Sequence, residues 1–161
     1  MKPRTILVLL FAVVLTSCAS TSKLGSVAFE FPPRWHVGGE GEGLTASLGP
    51  NVELPLLNVQ VCERTDPACA LPCDAKKIRD VYFFVFAGGG HAEYTQTSRP
   101  DGSIDFGATG VSPEETGDVQ VMAHVLCSSR GLVFVNLMSR TPLEGLSRDF
   151  ERTLQSVRWR N

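Results

Sequence analysis

The chain has 161 residues, 43% of them apolar and 20% charged, and its formal net charge at pH 7 is −2. The apolar fraction is too high for a disordered segment, and the length suits one domain around one core. A weakly acidic balance argues against nucleic acid or an anionic lipid surface as the main partner.

The first predicted element is an export signal. Lys2 and Arg4 precede an apolar run over residues 6–15, and small residues follow. As a helix, such a run spans about 15 Å, half of the roughly 30 Å hydrocarbon layer, so it is too short for a permanent span. The residues that end it, Leu15-Thr16-Ser17-Cys18, resemble a bacterial lipobox. That resemblance implies a lipoprotein: a signal peptide over 1–17 is removed, and Cys18 carries a diacylglycerol and a further acyl chain such as palmitate. Residues 18–26 then form the lipidated cysteine and a tether, and residues 27–161 a single domain. Each buried methylene contributes about 0.8 kcal/mol, so two or three acyl chains anchor the protein to the membrane permanently. Ala19 after the cysteine, in place of Asp, resembles the sorting pattern for the outer membrane, with the domain facing the periplasm. Losing Lys2 and Arg4 takes the formal charge to about −4.

With Cys18 assigned to lipid, Cys62, Cys69, Cys73 and Cys127 remain. An even number in an exported domain reads as two disulfides, and spacing alone does not choose among the three pairings. Cys69 and Cys73 have metal-like spacing, but no second such pair or nearby His completes a site, so no metal is expected.

Along the domain, Val27–Phe31 alternates as a strand and stops at Pro32-Pro33, after which Trp35 is expected to pack back on the sheet. Residues 38–43, GGEGEG, read as an acidic loop, residues 44–48 as a weak strand, and Leu56–Val61 as a stronger one. Residues 74–86 carry Ile78, Val81, Tyr82 and Val85 at helical spacing, with Asp74 as cap and Gly88–Gly90 as terminator, so a helix is predicted. Residues 91–97 and 103–109 flank the turn at Arg99-Pro100-Asp101-Gly102, and residues 118–127 and 131–139 flank Ser128–Gly131. Val133, Val135 and Leu137 cover one side of the last strand and Leu132, Phe134 and Met138 the other, which predicts a central strand. Thr141-Pro142-Leu143-Glu144 reads as a capping box opening a helix over 142–154, with the stripe Leu143, Leu146, Phe150 and Leu154; residues 156–159 follow as a strand.

The order of these elements, from a first strand ending in FPPRW to a last helix running into SVRW, resembles the PsbP-like fold. The resemblance implies an α+β domain, a central antiparallel sheet with helices packed on both faces. It implies accessory or binding roles and supplies no catalytic residue.

The remaining constellations are weak. His124 and Cys127 are three apart on a strand and point to opposite faces. His91 and Glu93 share a strand face, and with His124 across the sheet they would make a metal site, yet exposed strand faces routinely carry such residues. Asp101-x-Ser103-x-Asp105 imitates a calcium loop but has Phe106 and Ser112 where that loop needs Gly and Glu. Glu40 and Glu42 lie among glycines that hold nothing in place. No catalytic residue and no cofactor is assigned, and the chain is read as a non-enzyme. The expected role is a lipid-anchored envelope binding or accessory protein, with the membrane and an envelope protein as partners. A periplasmic immunity protein against a toxin and a carrier of an apolar ligand are the alternatives.

Overall fold

The computed structural model describes residues 21–38, 43–49, 53–66, 73–83, 91–112 and 117–160. The lipobox with Cys18, the acids Glu40 and Glu42, Cys69, Val85 and Gly88–Gly90 lie outside the described residues.

The frame is a seven-stranded antiparallel sheet. Its strands are β3 (His36–Gly38), β4 (Gly43–Ser47), β5 (Leu56–Glu63), β6 (His91–Ser98), β7 (Ile104–Ser112), β8 (Val119–Ser128) and β9 (Gly131–Ser139), in the spatial order β3-β4-β5-β9-β8-β7-β6. β9 is central because it is apolar on both sides: Leu132 and Phe134 face one core, and Val133, Val135 and Leu137 the other. A second, three-stranded antiparallel sheet has the order β1-β2-β10, from β1 (Thr21–Leu24), β2 (Val27–Glu30) and β10 (Arg158–Trp159).

The two faces of the large sheet are covered differently. On one side lies α1 (Ala75–Tyr82), whose N-cap Asp74 accepts a hydrogen bond from the Lys77 N–H at 2.9 Å. Ile78 and Phe83 pack there with Phe106, Val121, Val125, Leu132 and Phe134. A Cys73–Cys127 disulfide ties the start of this helical segment to β8 across 54 residues. The other side is covered by the small sheet and by α2 (Ser147–Ser156), where Val27, Phe29, Phe31, Leu146 and Phe150 bury against Leu57, Val59, Val133, Val135 and Leu137.

This arrangement corrects the expected α+β, PsbP-like sandwich. The described chain is mostly β: ten strands in two antiparallel sheets, against α-helices of only eight and ten residues. Seven strands at about 4.8 Å spacing are some 29 Å across, far wider than the roughly 10 Å of one helix. The second layer is therefore completed by a sheet. Part of that sheet comes from the segment read as a tether: Thr21–Leu24 pairs with β2, Thr21 opposite Glu30 and Leu24 opposite Val27.

The C-terminal helix also departs from expectation. Leu143–Gly145 forms a 3-10 turn, and α2 begins only after Leu146, which has φ −110° and offers no side-chain cap. The Thr141 capping box does not form; the Thr141 N–H donates to the Ser139 hydroxyl at 3.1 Å instead. Gly145, a poor helix former, lies where the helix would have had to continue. α2 runs on to Ser156, so the last strand shortens to two residues, and it joins β2 rather than the large sheet.

Candidate functional site

The register of β6, β7 and β8 puts a polar set on the face that α2 partly covers. Gly107 of β7 lies between Thr95 of β6 and His124 of β8; Thr109 lies between Glu93 and Met122, and Asp105 between Thr97 and Leu126. Residues directly opposite, and those two apart along a strand, share a face of the sheet. Beside α2 these residues bound a groove of about 310 Å³. Glu93, Thr95, Thr109 and His124 line its sheet side, Phe150, Glu151 and Leu154 its helix side, with Met122 between.

A His–Asp pair stands at the centre. His124 Nε2 hydrogen-bonds Asp105 Oδ1, and Asp105 Oδ2 also lies 3.3 Å from Arg99 Nη2. The His124 side chain is only 20% exposed. Burial holds the imidazole below its ordinary pKa of 6.5, against the opposing pull of the Asp105 and Glu151 carboxylates. The ring is therefore neutral at pH 7. An ionised carboxylate only accepts, so Asp105 assigns the proton to Nε2 and leaves Nδ1 with a free lone pair.

Gly107 makes the geometry possible. A Cβ at that position would stand 2.7 Å from Thr95 Oγ1 and 3.1 Å from His124 Nδ1. With glycine there, both polar atoms lean in over the strand between them. Among the described residues neither Glu93 nor Glu151 has a hydrogen-bond or ion-pair partner.

α2 itself is positioned by a second cluster. The Asp149 carboxylate accepts from Trp35 Nε1 at 2.8 Å and from Arg34 Nε at 2.7 Å. Trp35 is buried, so this contact fastens the segment after β2 to the first turn of α2 and fixes where Phe150 and Glu151 stand.

Of the residues singled out from the sequence, Glu93 and His124 are brought to one groove, but His91 is not. It pairs with Val111 at the far end of β6 and does not line the groove. Among the described residues no group of three or more His, Cys, Asp or Glu is placed to hold a metal ion. The Asp101 carboxylate is engaged locally, accepting from the Ser103 N–H at 2.9 Å and the Ser103 hydroxyl at 2.6 Å, as a turn requires. Cys127 is committed to its disulfide with Cys73, and Cys62 is disulfide-bonded as well. Thr95, Gly107, Thr109 and Glu151 were not anticipated. Only the two-residue alternation of Glu93, Thr95 and Thr97 signalled a polar strand face.

No family model and no curated protein matches the chain. Solved structures share its fold. A Bacteroides thetaiotaomicron protein solved at 1.50 Å superposes with a TM-score of 0.50 at 11% identity, over 84% of this chain and 46% of that one. A Pseudomonas aeruginosa protein of unknown function, described as a putative regulator, superposes with a TM-score of 0.53 at 10% identity, over 86% of this chain and 94% of that one. The chain thus spans less than half of the first protein and nearly all of the second. At such identities the likeness is one of fold alone.

Proposed function

We propose that the chain is a lipid-anchored binding or accessory protein of the cell envelope, held through Cys18 in the outer membrane and facing the periplasm. It receives a partner in the groove beside α2 and carries out no catalysis. The observation that carries the binding role is that groove. The Glu93 and Glu151 carboxylates, unpaired among the described residues, and the His124 imidazole held by Asp105 border it together with the apolar Met122, Phe150 and Leu154, a mix of polar and apolar side chains that ligand sites use. Among the described residues no hydroxyl or thiol hydrogen-bonds His124.

The anchor rests on Leu15-Thr16-Ser17-Cys18 following a leader too short to span. β1 starts at Thr21, three residues after Cys18, a reach of about 10 Å even when extended. A domain held that closely stays against the bilayer, and its effective concentration for a membrane partner rises accordingly. A carrier of an apolar ligand has less support, because Phe29, Leu146, Phe150 and Val135 fill the space between α2 and the sheet. The immunity reading depends on Glu40 and Glu42, outside the described residues.

Photo-crosslinking in native membranes tests both halves. A crosslinking side chain at Thr109, exposed at the edge of the groove, is expected to give one discrete adduct, and one at Arg79, on α1 across the sheet, none. Cys18→Ala is expected to move the protein off the membrane. Equal labelling from both positions overturns the groove; an unchanged membrane fraction for Cys18→Ala overturns the anchor.

A further inference from the structure

The polar groups of the groove are almost all of one kind. Glu93 and Glu151 accept hydrogen bonds only, and His124 has spent its N–H on Asp105 and offers Nδ1 as an acceptor. Thr95 and Thr109 add hydroxyl oxygens. Among the described residues no Lys, Arg, Asn or Gln side chain lines the space, which leaves the two hydroxyls as its side-chain donors. Such a lining repels carboxylates and phosphates and favours a group that brings its own protons and a positive charge.

We infer that the groove takes a primary ammonium on a short apolar stem, its three N–H donors shared among Thr95 Oγ1, His124 Nδ1 and the Glu151 carboxylate. This deepens the binding role proposed for the same groove and rests on it. Thr95 Oγ1 and His124 Nδ1 flank Gly107 from the two neighbouring strands, 2.7 and 3.1 Å from where its Cβ would stand, so both border the space above the glycine. The third acceptor comes from another element, since Glu151 is on α2. Acceptors on separate walls suit a compact ammonium with three rotatable donors. A planar guanidinium prefers both oxygens of one carboxylate edge-on. Met122 and Leu154 supply the apolar surface for the stem, and Glu93 adds charge at the β6 side.

A free diamine and the side chain of a lysine in a partner protein carry the same chemistry, and calorimetry on the full chain in detergent separates them. The probes are cadaverine and Nα-acetyl-lysine N-methylamide, with 1-pentanol as the neutral control. At least one amine is expected to bind once per chain, with Kd on the order of 1 mM, and pentanol not to bind. Thr95→Val and Glu151→Gln should each weaken binding about tenfold, the equivalent of ~1.4 kcal/mol. Gly107→Ala should act likewise, because its Cβ pushes Thr95 and His124 apart. Melting curves establish that each variant is folded. Tighter binding of the capped lysine identifies a protein side chain as the source, and tighter binding of cadaverine a free amine. Silence from both amines, equal binding of pentanol, or full affinity in Thr95→Val and Glu151→Gln overturns the inference. If the Thr109 crosslink to a partner persists in that case, the groove still binds and only its ammonium specificity falls.

Discussion

Asp149→Ala is the substitution whose cost can be worked most fully. The wild-type carboxylate is 17% exposed and serves three donors: Trp35 Nε1 at 2.8 Å, Arg34 Nε at 2.7 Å and Arg34 Nη2 at 2.5 Å. Arg34 is 52% exposed, so its ion pair contributes only about 0–1 kcal/mol. Trp35 is different, because the indole is 5% exposed and water cannot replace the lost acceptor. Leaving a buried N–H without a partner costs roughly 1–3 kcal/mol. Asp149 is also the acidic residue in the first turn of α2, worth about 0.3–1 kcal/mol against the helix dipole. Together these give a loss of about 1–5 kcal/mol, against the 5–15 kcal/mol that typically holds a domain. Asp149→Asn keeps an oxygen for Trp35 and should lose about 1 kcal/mol; Arg34→Ala should lose no more than that. Urea titration followed by tryptophan fluorescence measures all three. If Arg34→Ala costs more than Asp149→Ala, or if Asn is as damaging as Ala, the buried Trp35 N–H is not what Asp149 serves.

Two further outcomes follow from groups inside the fold. His124 takes up its proton at a lower pH when folded than when unfolded, so the unfolded chain binds more protons below about pH 6.5. Stability should be flat above neutrality and fall as pH drops from about 6.5 toward the folded pKa, by at most ~1.4 kcal/mol per pH unit, and His124→Gln should remove that slope; urea midpoints that rise on acidification in this window contradict it. Thr153 is fully buried and its hydroxyl has no partner, so Thr153→Val, which keeps the shape, should raise the urea midpoint by up to about 1 kcal/mol of stability, and a loss would mean that the hydroxyl is satisfied after all.

Strand alternation was the part of the fold most legible in the sequence. The β8–β9 hairpin and the central place of β9 follow from side chains that are apolar on alternate, then on both, faces. The fold class was misread for two physical reasons. TSKL carries no apolar alternation, because β1 is an edge strand with a half-buried face, so it looked like a tether. In the C-terminal segment, three agreeing cap signals outweighed Gly145, although the backbone turns at Leu146 before the helix starts. The groove was less legible still. Asp105 and His124 are 19 residues apart, and Glu151 comes from another element altogether. What joins them is register, and the residue that makes room, Gly107, has no side chain to notice.

The position of the groove follows from a mismatch of widths. The small sheet and α2 cover β5, β9 and part of β8 on one face, and the layer ends before β7 and β6. Had those strands been apolar along that whole face, the opening would invite aggregation; apart from the exposed Val111 at the end of β7 they carry Glu93, Thr95, Thr97, Asp105 and Thr109 there. Their other face is not left open. Tyr94 packs on Phe83 at 6.2 Å and on Phe106 at 5.9 Å, and Phe83 on Phe106 at 5.1 Å, below the strands that carry the groove. The Cys73–Cys127 disulfide fastens the helical segment bearing Phe83 to β8, the strand of His124. The acceptors are therefore held on a strand platform braced from behind, while the facing wall, α2, is held through Asp149 and Trp35. A site supported by two independent braces should respond to each separately. Loosening Asp149 moves Glu151 relative to Thr95 and His124, whereas loosening the aromatic cluster disturbs Thr95 and His124 together.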